Sequence, residues 1–147
     1  DACAAELEAL TAGPSGDDCA QFAQMGRSMG MAWQIARDID DLWGERGDGM
    51  TPSNVINKKK SLPLVHPRET ASVSIKRELG AIYMKRVLED SDIAKMIEIL
   101  DNTDARQTSQ AKAKELVEQA LAGLGGVSQQ GKDALAGLGQ WAAQGGR

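Results

Sequence analysis

Asp38 and Asp41 lie three residues apart in the stretch QIARDIDDLWG, which runs from Gln34 to Gly44. Residues at i and i+3 share one face of a helix, so these two carboxylates can converge on one hard cation. Mg²⁺ is the natural candidate, because it prefers oxygen ligands and needs few carboxylates when substrate phosphates complete its shell. The alternative is a solvated acidic face in which Arg37 neutralises Asp41 one turn later. Spacing alone favours this alternative, because acidic surface helices are common.

A run of lysines, Lys58 to Lys60, follows in the segment NKKKSLP. Such a run is usually solvated, but this one comes one glycine-containing loop after the acidic helix and directly before an apolar LPLV. Ammonium groups brought near two carboxylates have a use if a diphosphate and Mg²⁺ lie between them. The two motifs together therefore predict a site for one ligand.

These motifs need helices to position them. Apolar residues recur at spacings of three and four along most of the chain, and no stretch alternates cleanly, so the sequence predicts an all-α fold. A long helix is predicted from Asp17 or Asp18 to Gly44, and a segment interrupted by Pro63 and Pro67 follows it. Further helices are predicted over DACAAELEALTA, ETASVSIKRELGAIYMKRVL, SDIAKMIEILDN, ARQTSQAKAKELVEQALAGL and, against the poor helix propensity of glycine, KDALAGLGQWAA.

The long helix has two distinct faces between residues 27 and 45. At ~100° per residue, Gln34, Asp38 and Asp41 fall on a polar side. The opposite side is apolar and consists of Met31, Ala32, Ile35, Ala36, Ile39, Leu42 and Trp43. We therefore expect the apolar side to meet other helices and the carboxylates to lie beside Gln34.

Composition excludes several classes of function. With 147 residues the chain is long enough for one domain, and its 3% aromatic content and net charge of −4 argue against a nucleic-acid partner. Two cysteines, Cys3 and Cys19, and the single His66 are too few for a zinc site, so buried free thiols are favoured. No apolar run approaches the ~20 residues of a membrane span, which predicts a cytoplasmic protein.

The two motifs also resemble a known family. GMAWQIARDIDDLWG followed by NKKKSLPLV is similar to the second half of the trans-isoprenyl diphosphate synthases, the polyprenyl synthetase family. There, a long helix carries a Phe-Gln pair and a second aspartate-rich motif, DDxxD, before a loop with Gly-Lys, an Asp and a Lys-Lys-Thr/Ser-Leu-Pro segment. The resemblance covers residues 1–147 and implies the C-terminal half of a single all-α domain, part of an isoprenoid-synthase-type helical bundle.

The resemblance implies roles for individual residues. Asp38 and Asp41 match the second and last aspartates of DDxxD, which makes them the implied catalytic residues and metal ligands, with Mg²⁺ as the cofactor. Lys59 and Lys60 match the lysines before Ser-Leu-Pro and would neutralise a diphosphate. Gln34 matches the glutamine of Phe-Gln and would orient that diphosphate.

Three residues depart from the pattern of the family. Arg37 stands where the family has the first aspartate of DDxxD, a direct metal ligand; Met50 replaces the loop lysine, and Asn54 the loop aspartate. An arginine beside the site would repel a cation, although Arg37 could contact diphosphate itself in place of a lost metal.

The implied activity is a Mg²⁺-dependent prenyl transfer that condenses an allylic diphosphate with isopentenyl diphosphate in an apolar helical cavity. The first aspartate-rich motif of the family is absent from this chain. We therefore expect a missing N-terminal half, in the same or a partner chain, a homo-oligomer such as a dimer, and no activity of this chain alone. Gly26 and Gly30 would let either another helix or an isoprenoid tail approach closely.

Two alternatives remain open at the level of sequence. One is a relative whose chemistry has moved to cyclisation or to prenylation of a different acceptor. The other is a non-catalytic partner subunit that keeps the fold and modulates an active synthase. Arg37, Met50 and Asn54 favour these alternatives, whereas the retained lysines argue against complete loss of the site.

Overall fold

The computed structural model of the chain describes residues 16–44, 52–125 and 127–144. All regular structure in these ranges is helical, which confirms the all-α prediction. The helices are α1 (Gly16–Trp43), α2 (Ser53–Ile56), α3 (Leu62–Thr70), α4 (Val73–Met84), α5 (Asp90–Asp101), α6 (Ala105–Ala122) and α7 (Gln129–Ala143). The helix predicted over DACAAELEALTA, together with Cys3 and Met50, lies outside the described residues.

The long helix that carries the aspartates is present as α1, which is 28 residues long. It includes both Asp17 and Asp18, which were predicted to cap it, and it ends one residue before Gly44. The helix predicted in the glycine-rich tail is also present, as α7. The hydroxyl of Ser128 caps α7 by accepting a hydrogen bond of 3.2 Å from the N–H of Gly131.

Proline marks a helix start rather than an interruption in the segment after the long loop. The prediction that Pro63 interrupts a helix is wrong, because Pro63 lies in the first turn of α3. The first N–H groups of a helix have no intrahelical acceptor, so proline loses nothing there. The same prediction is wrong for Pro67, which lies buried inside α3 without interrupting it. The break between helices instead covers the lysine run, from Asn57 to Ser61.

The chain divides into two compact units. The first unit combines Asp1–Ala36 with Ala111–Arg147, and the second unit is Arg37–Gln110. Helices α1 and α6 each contribute residues to both units. The prediction that residues 1–147 form part of a single domain stays a prediction.

The second unit has a core of large aliphatic side chains. These come from the end of α1, from α2 to α5 and from the start of α6, and they are Leu42, Val55, Leu64, Leu79, Ile82, Ile93, Met96, Ile99, Leu100 and Ala105. Burial of a leucine-sized side chain stabilises a fold by about 1.5–3 kcal/mol, so this cluster fixes the short helices around the end of α1.

The first unit has a core that mixes large apolar side chains with alanine. Its buried clusters are Met25, Met29, Ala120 and Leu124, and Ala32, Ala113, Leu116 and Val117. Helix α7 approaches α6 so closely that a Cβ on Gly139 would lie 2.5 Å from Val117 Cγ1. A larger residue at position 139 would force Val117 to shift, so glycine at this position favours the close packing of α7 on α6.

Trp43 fixes the C-terminal end of α1 within the second unit. Its indole N–H donates a hydrogen bond of 2.6 Å to the Asp101 carboxylate, and the Arg106 guanidinium lies 5.6 Å from the ring centroid. Cation–π contacts of this kind contribute about 0.5–1 kcal/mol at exposed sites. The last turns of α1 are thus held in place on their apolar side, opposite the polar side that carries the aspartates.

None of the described helices is both long enough and apolar enough to cross a membrane.

Candidate functional site

The polar side of α1 meets the short helix α2. Asp41 is partly buried, and its carboxylate accepts three hydrogen bonds from the start of α2: from Ser53 N at 3.0 Å, Ser53 Oγ at 2.9 Å and Asn54 N at 2.8 Å. The N-cap residue of α2 is Pro52, whose side chain cannot accept a hydrogen bond. Asp41 therefore acts as a distant cap, satisfying N–H groups that have no intrahelical acceptor.

Asp38 meets the same helix one turn earlier. It is 8% exposed, and its Oδ1 accepts a hydrogen bond of 2.9 Å from the side-chain amide of Asn54, which is itself 3% exposed. A carboxylate can only accept, so the amide must present its NH₂ group to Asp38. We refer to Asp38, Asp41, Ser53 and Asn54 as the Asn54 network.

Asn54 also sets the position of the lysine run. Its carbonyl accepts a hydrogen bond of 2.9 Å from Lys59 N, and the carbonyl of Val55 accepts one of 3.0 Å from Lys58 N. Lys58 has a φ of 49°. These features form a Schellman turn with lysine in the left-handed position that glycine usually occupies. The side chains of Lys59 and Lys60 are exposed after this turn.

The other cationic candidate is Arg37. Its side chain is 52% exposed and lies 3.8 Å from the carboxylate of Asp40. The remaining candidate, Gln34, lies on an exposed part of α1 that belongs to the first unit. The structure thus links Asp38, Asp41 and the lysine run through Asn54.

The residues of the Asn54 network do not fit a magnesium site in this arrangement. Hydrogen-bond donors contact at least three of the four carboxylate oxygens of Asp38 and Asp41. Mg²⁺ demands near-octahedral oxygen ligands at about 2.1 Å, and a donor N–H or O–H aimed at such an oxygen competes with it. Across the described ranges, no three His, Cys, Asp or Glu side chains are grouped so that they could hold a metal ion.

The role of Asn54 was not predicted from the sequence, where this residue was only a departure from the pattern of the family. A partial signal was present, because Ser and Asn, the residue types at positions 53 and 54, are common at helix starts, although the N-cap itself is Pro52. The acceptor for that start is twelve or more residues away across a loop, and a helical wheel cannot show it.

A second feature is an apolar groove in the first unit. It lies between α1 and α7, has a volume of about 430 Å³, and is lined by Met25, Gly26, Met29, Gly30, Trp33, Leu138, Trp141 and Ala142. Three of the lining side chains are unusually exposed for their type: Trp33 at 36%, Trp141 at 48% and Leu138 at 50%. Gly26 and Gly30, predicted to allow close approach, both line this groove.

The groups with shifted pKa values lie elsewhere in the second unit. Lys85 Nζ lies 2.6 Å from Asp92 Oδ1, and this hydrogen bond raises the pKa of Lys85 and lowers the pKa of Asp92. His66 Nε2 lies 3.1 Å from Asp104 Oδ1 and lowers the pKa of Asp104. These pairs join neighbouring segments of the second unit, so we assign them to stability rather than to the site.

The fold is that of the polyprenyl synthases. It superimposes on a decaprenyl diphosphate synthase from Rhodobacter capsulatus with a TM-score of 0.85 and 17% identity, covering 99% of this chain and 46% of that one. A geranylgeranyl pyrophosphate synthase from Corynebacterium glutamicum, complexed with calcium and isoprenyl diphosphate, gives a TM-score of 0.79 at 21% identity, covering 97% of this chain and 45% of that one.

The sequence comparison agrees with the fold. The chain is 26% identical over 125 residues to the geranylgeranyl diphosphate synthase of Mycobacterium tuberculosis, which covers 83% of this chain and 35% of that protein. No family model matches the chain. The predicted resemblance to the trans-isoprenyl diphosphate synthases is confirmed, and the chain corresponds to their C-terminal part. It spans between a third and a half of the length of these relatives.

Proposed function

We propose that the chain supplies the C-terminal half of an isoprenyl diphosphate synthase. In the proposed reaction the C–O bond of an allylic diphosphate breaks, and the diphosphate leaves with the bonding electrons. The double bond of isopentenyl diphosphate then attacks the allylic cation, a C–C bond forms and a proton is lost. The observation that carries the proposal is the Asn54 network, which joins the aspartate helix to the lysine run on a fold shared with polyprenyl synthases.

Within this proposal the cations of this chain receive the leaving diphosphate. Lys59 and Lys60 are exposed directly after the Schellman turn, and Arg37 is half-exposed at the end of α1. Charge-assisted hydrogen bonds from such groups stabilise the charge that develops on a leaving diphosphate. Gln34 would orient the ligand through its amide.

In this proposal, Mg²⁺ would be bound by the complementary half of the complete enzyme and not by the aspartates of this chain. When bound, Mg²⁺ would supply charge neutralisation of the leaving diphosphate. Because the Asn54 network does not fit the metal, we assign its ligands to the first aspartate-rich motif of a complementary half.

The complementary half is part of the proposal because the chain covers only 35–46% of the relatives described above. It would lie in the same polypeptide or in another chain, and the assembly would be a homo-oligomer in the cytoplasm. The apolar groove of the first unit supports this proposal, since an exposed surface lined by tryptophan and leucine is a common place for an apolar partner or ligand to bind.

A non-catalytic partner subunit is the second candidate. The specific observation in its favour is that both implied metal ligands, Asp38 and Asp41, accept hydrogen bonds from α2. Such a subunit would keep the fold and the lysine run while contributing no metal.

The experiment that tests the first candidate is calorimetric titration of the chain with farnesyl diphosphate. We expect the double variant Lys59→Ala, Lys60→Ala to weaken binding about tenfold or more, since each lost charged contact removes roughly 1.5–3 kcal/mol. The matched control is Lys112→Ala, Lys114→Ala, which removes the same charge from α6. Equal binding by the two double variants would contradict the proposed diphosphate site.

A further inference from the structure

We propose that Asn54 takes the place of a divalent cation, so that this half of the site holds its lysine run in position without metal. The inference deepens the proposed function, because the lysine run is the segment proposed to contact diphosphate. It concerns Mg²⁺ and folding rather than diphosphate, so the two proposals can fail separately.

Asn54 uses its side chain and both of its main-chain polar groups at once. Its N–H donates to Asp41 Oδ2 at 2.8 Å, its side-chain NH₂ donates to Asp38 Oδ1 at 2.9 Å, and its carbonyl accepts from Lys59 N at 2.9 Å. With 3% exposure, Asn54 has little access to water to replace a lost partner. A buried donor or acceptor left without a partner costs about as much as a lost hydrogen bond, so the three contacts fix the residue.

Residue 54 carries a side-chain amide and not a carboxylate. An amide beside the Asp38 carboxylate donates a hydrogen and needs no ion between the two groups. An aspartate at the same place would set two carboxylates about 3 Å apart, which is stable only if one is protonated or a cation lies between them. The choice of Asn or Asp at position 54 therefore decides whether this contact needs a metal.

The contacts of Asn54 with the two aspartates also position the lysine run. The short helix α2 has only four residues, and its start is capped by Asp41 rather than by its own N-cap residue. The Schellman turn that ends α2 begins at the carbonyl of Asn54. The two aspartates therefore act as positioning residues for Lys58 to Lys60, through Asn54 and not through a metal ion.

The test is thermal unfolding of the full chain in EDTA and in millimolar Mg²⁺. We expect the Tm of the unsubstituted chain to be the same in both. Asn54→Asp should lower Tm by about 5 °C in EDTA, and Mg²⁺ should restore most of this loss by bridging the two carboxylates.

The matched control is Asn57→Asp, which makes the same change at an exposed asparagine whose side chain donates to the Ser53 carbonyl. We expect no recovery of this variant by Mg²⁺. A Tm of the unsubstituted chain that rises with Mg²⁺, and stops rising in Asp38→Asn, would overturn the proposal. So would an Asn54→Asp chain whose loss Mg²⁺ does not restore.

A second measurement keeps the proposal testable if the variants do not fold. Amide NMR signals of the unsubstituted chain can be followed during titration with Mg²⁺ alone. We expect no shift at residues 38, 41, 53, 54 and 58–60 beyond that of exposed acidic residues elsewhere. Saturable shifts confined to these positions would show metal binding and would overturn the inference.

Discussion

The middle of α1 and its C-terminal end meet their surroundings in opposite ways. In the second unit, Asp38 and Asp41 contact hydrogen-bond donors at fixed distances of 2.8–3.0 Å. In the first unit, the residues of α1 that line the apolar groove leave about 430 Å³ open beside α7. Hydrogen bonds are directional and accept few alternatives, whereas apolar surfaces tolerate many partners. Helix α1 thus combines polar contacts at fixed distances with an apolar surface that could accept different partners.

The cores of the two units differ in the side chains found at their helix contacts. The second unit buries large aliphatic side chains, and Leu79, Met96 and Leu100 are at most 1% exposed. The first unit also buries large side chains, such as Leu124 at 1% exposure, but it has alanine or glycine at close helix contacts such as Ala32, Ala113 and Gly139. Small-to-large changes at these contacts should therefore affect the first unit most.

The largest effect is expected at the centre of the second core. Leu100→Ala should lower the free energy of unfolding by about 2–5 kcal/mol, because it removes a fully buried side chain and leaves a cavity. Leu138→Ala is the matched variant in the apolar groove, where the side chain is 50% exposed, and it should cost less than about 1 kcal/mol. Urea unfolding measures the stability of both variants. Similar losses would remove the contrast between the buried core of the second unit and the exposed groove of the first.

The next effect concerns close packing in the first unit. Gly139→Ala places a Cβ against Val117 and should destabilise by about 1–3 kcal/mol. Gly137→Ala, two residues earlier on α7, meets nothing within 4 Å and should stabilise by about 0.5–1 kcal/mol through helix propensity. The same urea experiment compares them. A Gly139→Ala chain as stable as Gly137→Ala would mean that α7 does not pack closely on α6.

A smaller effect is expected when the distant cap of α2 is removed. Asp41→Ala should lower stability by about 0.5–2 kcal/mol, the usual range for a lost N-cap, and should speed amide hydrogen exchange at Ser53 and Asn54. Asp40→Ala is the control, since Asp40 pairs with the exposed Arg37. Unchanged exchange at Asn54 in Asp41→Ala would show that Asp41 is not the cap.

The smallest effect is the response to acid, which should come from the second unit. The pKa of Asp92 is lowered by its hydrogen bond to Lys85, so the stability it contributes is present above its ordinary pKa and is lost as pH falls through the lowered value. Asp92→Asn should therefore flatten the pH dependence of Tm below about pH 4. The control Asp133→Asn, at an exposed position of α7, should leave the profile unchanged. Identical profiles for Asp92→Asn and the unsubstituted chain would refute this assignment.

Much of the fold follows from local rules. Apolar spacing predicted α1, α5 and α6 within a few residues, because a helix that buries one face must repeat its apolar residues every three to four positions. It predicted Pro63 wrongly, since periodicity does not distinguish a proline that ends a helix from one that begins it. The packing that makes Gly139 favourable in α7 involves Val117, far away in sequence.

The candidate site was predictable only in part. Helical spacing correctly set Asp38 and Asp41 on one face of α1, because that depends only on neighbours along the chain. Their partners are Ser53 and Asn54, which approach only when the intervening loop folds back. Hydrogen-bond donors and a metal ion compete for the same carboxylate oxygens. Helical spacing alone does not distinguish a carboxylate pair that accepts hydrogen bonds from one that binds a metal.

The positions of the tryptophans make the chain its own optical probe. The sequence holds three tryptophans, and two of them, Trp33 and Trp141, line the apolar groove of the first unit. The third, Trp43, is hydrogen-bonded to Asp101 in the second unit. Acrylamide should quench the fluorescence of the first two readily and that of Trp43 less. Single-tryptophan chains would therefore report on either unit separately, without an added dye.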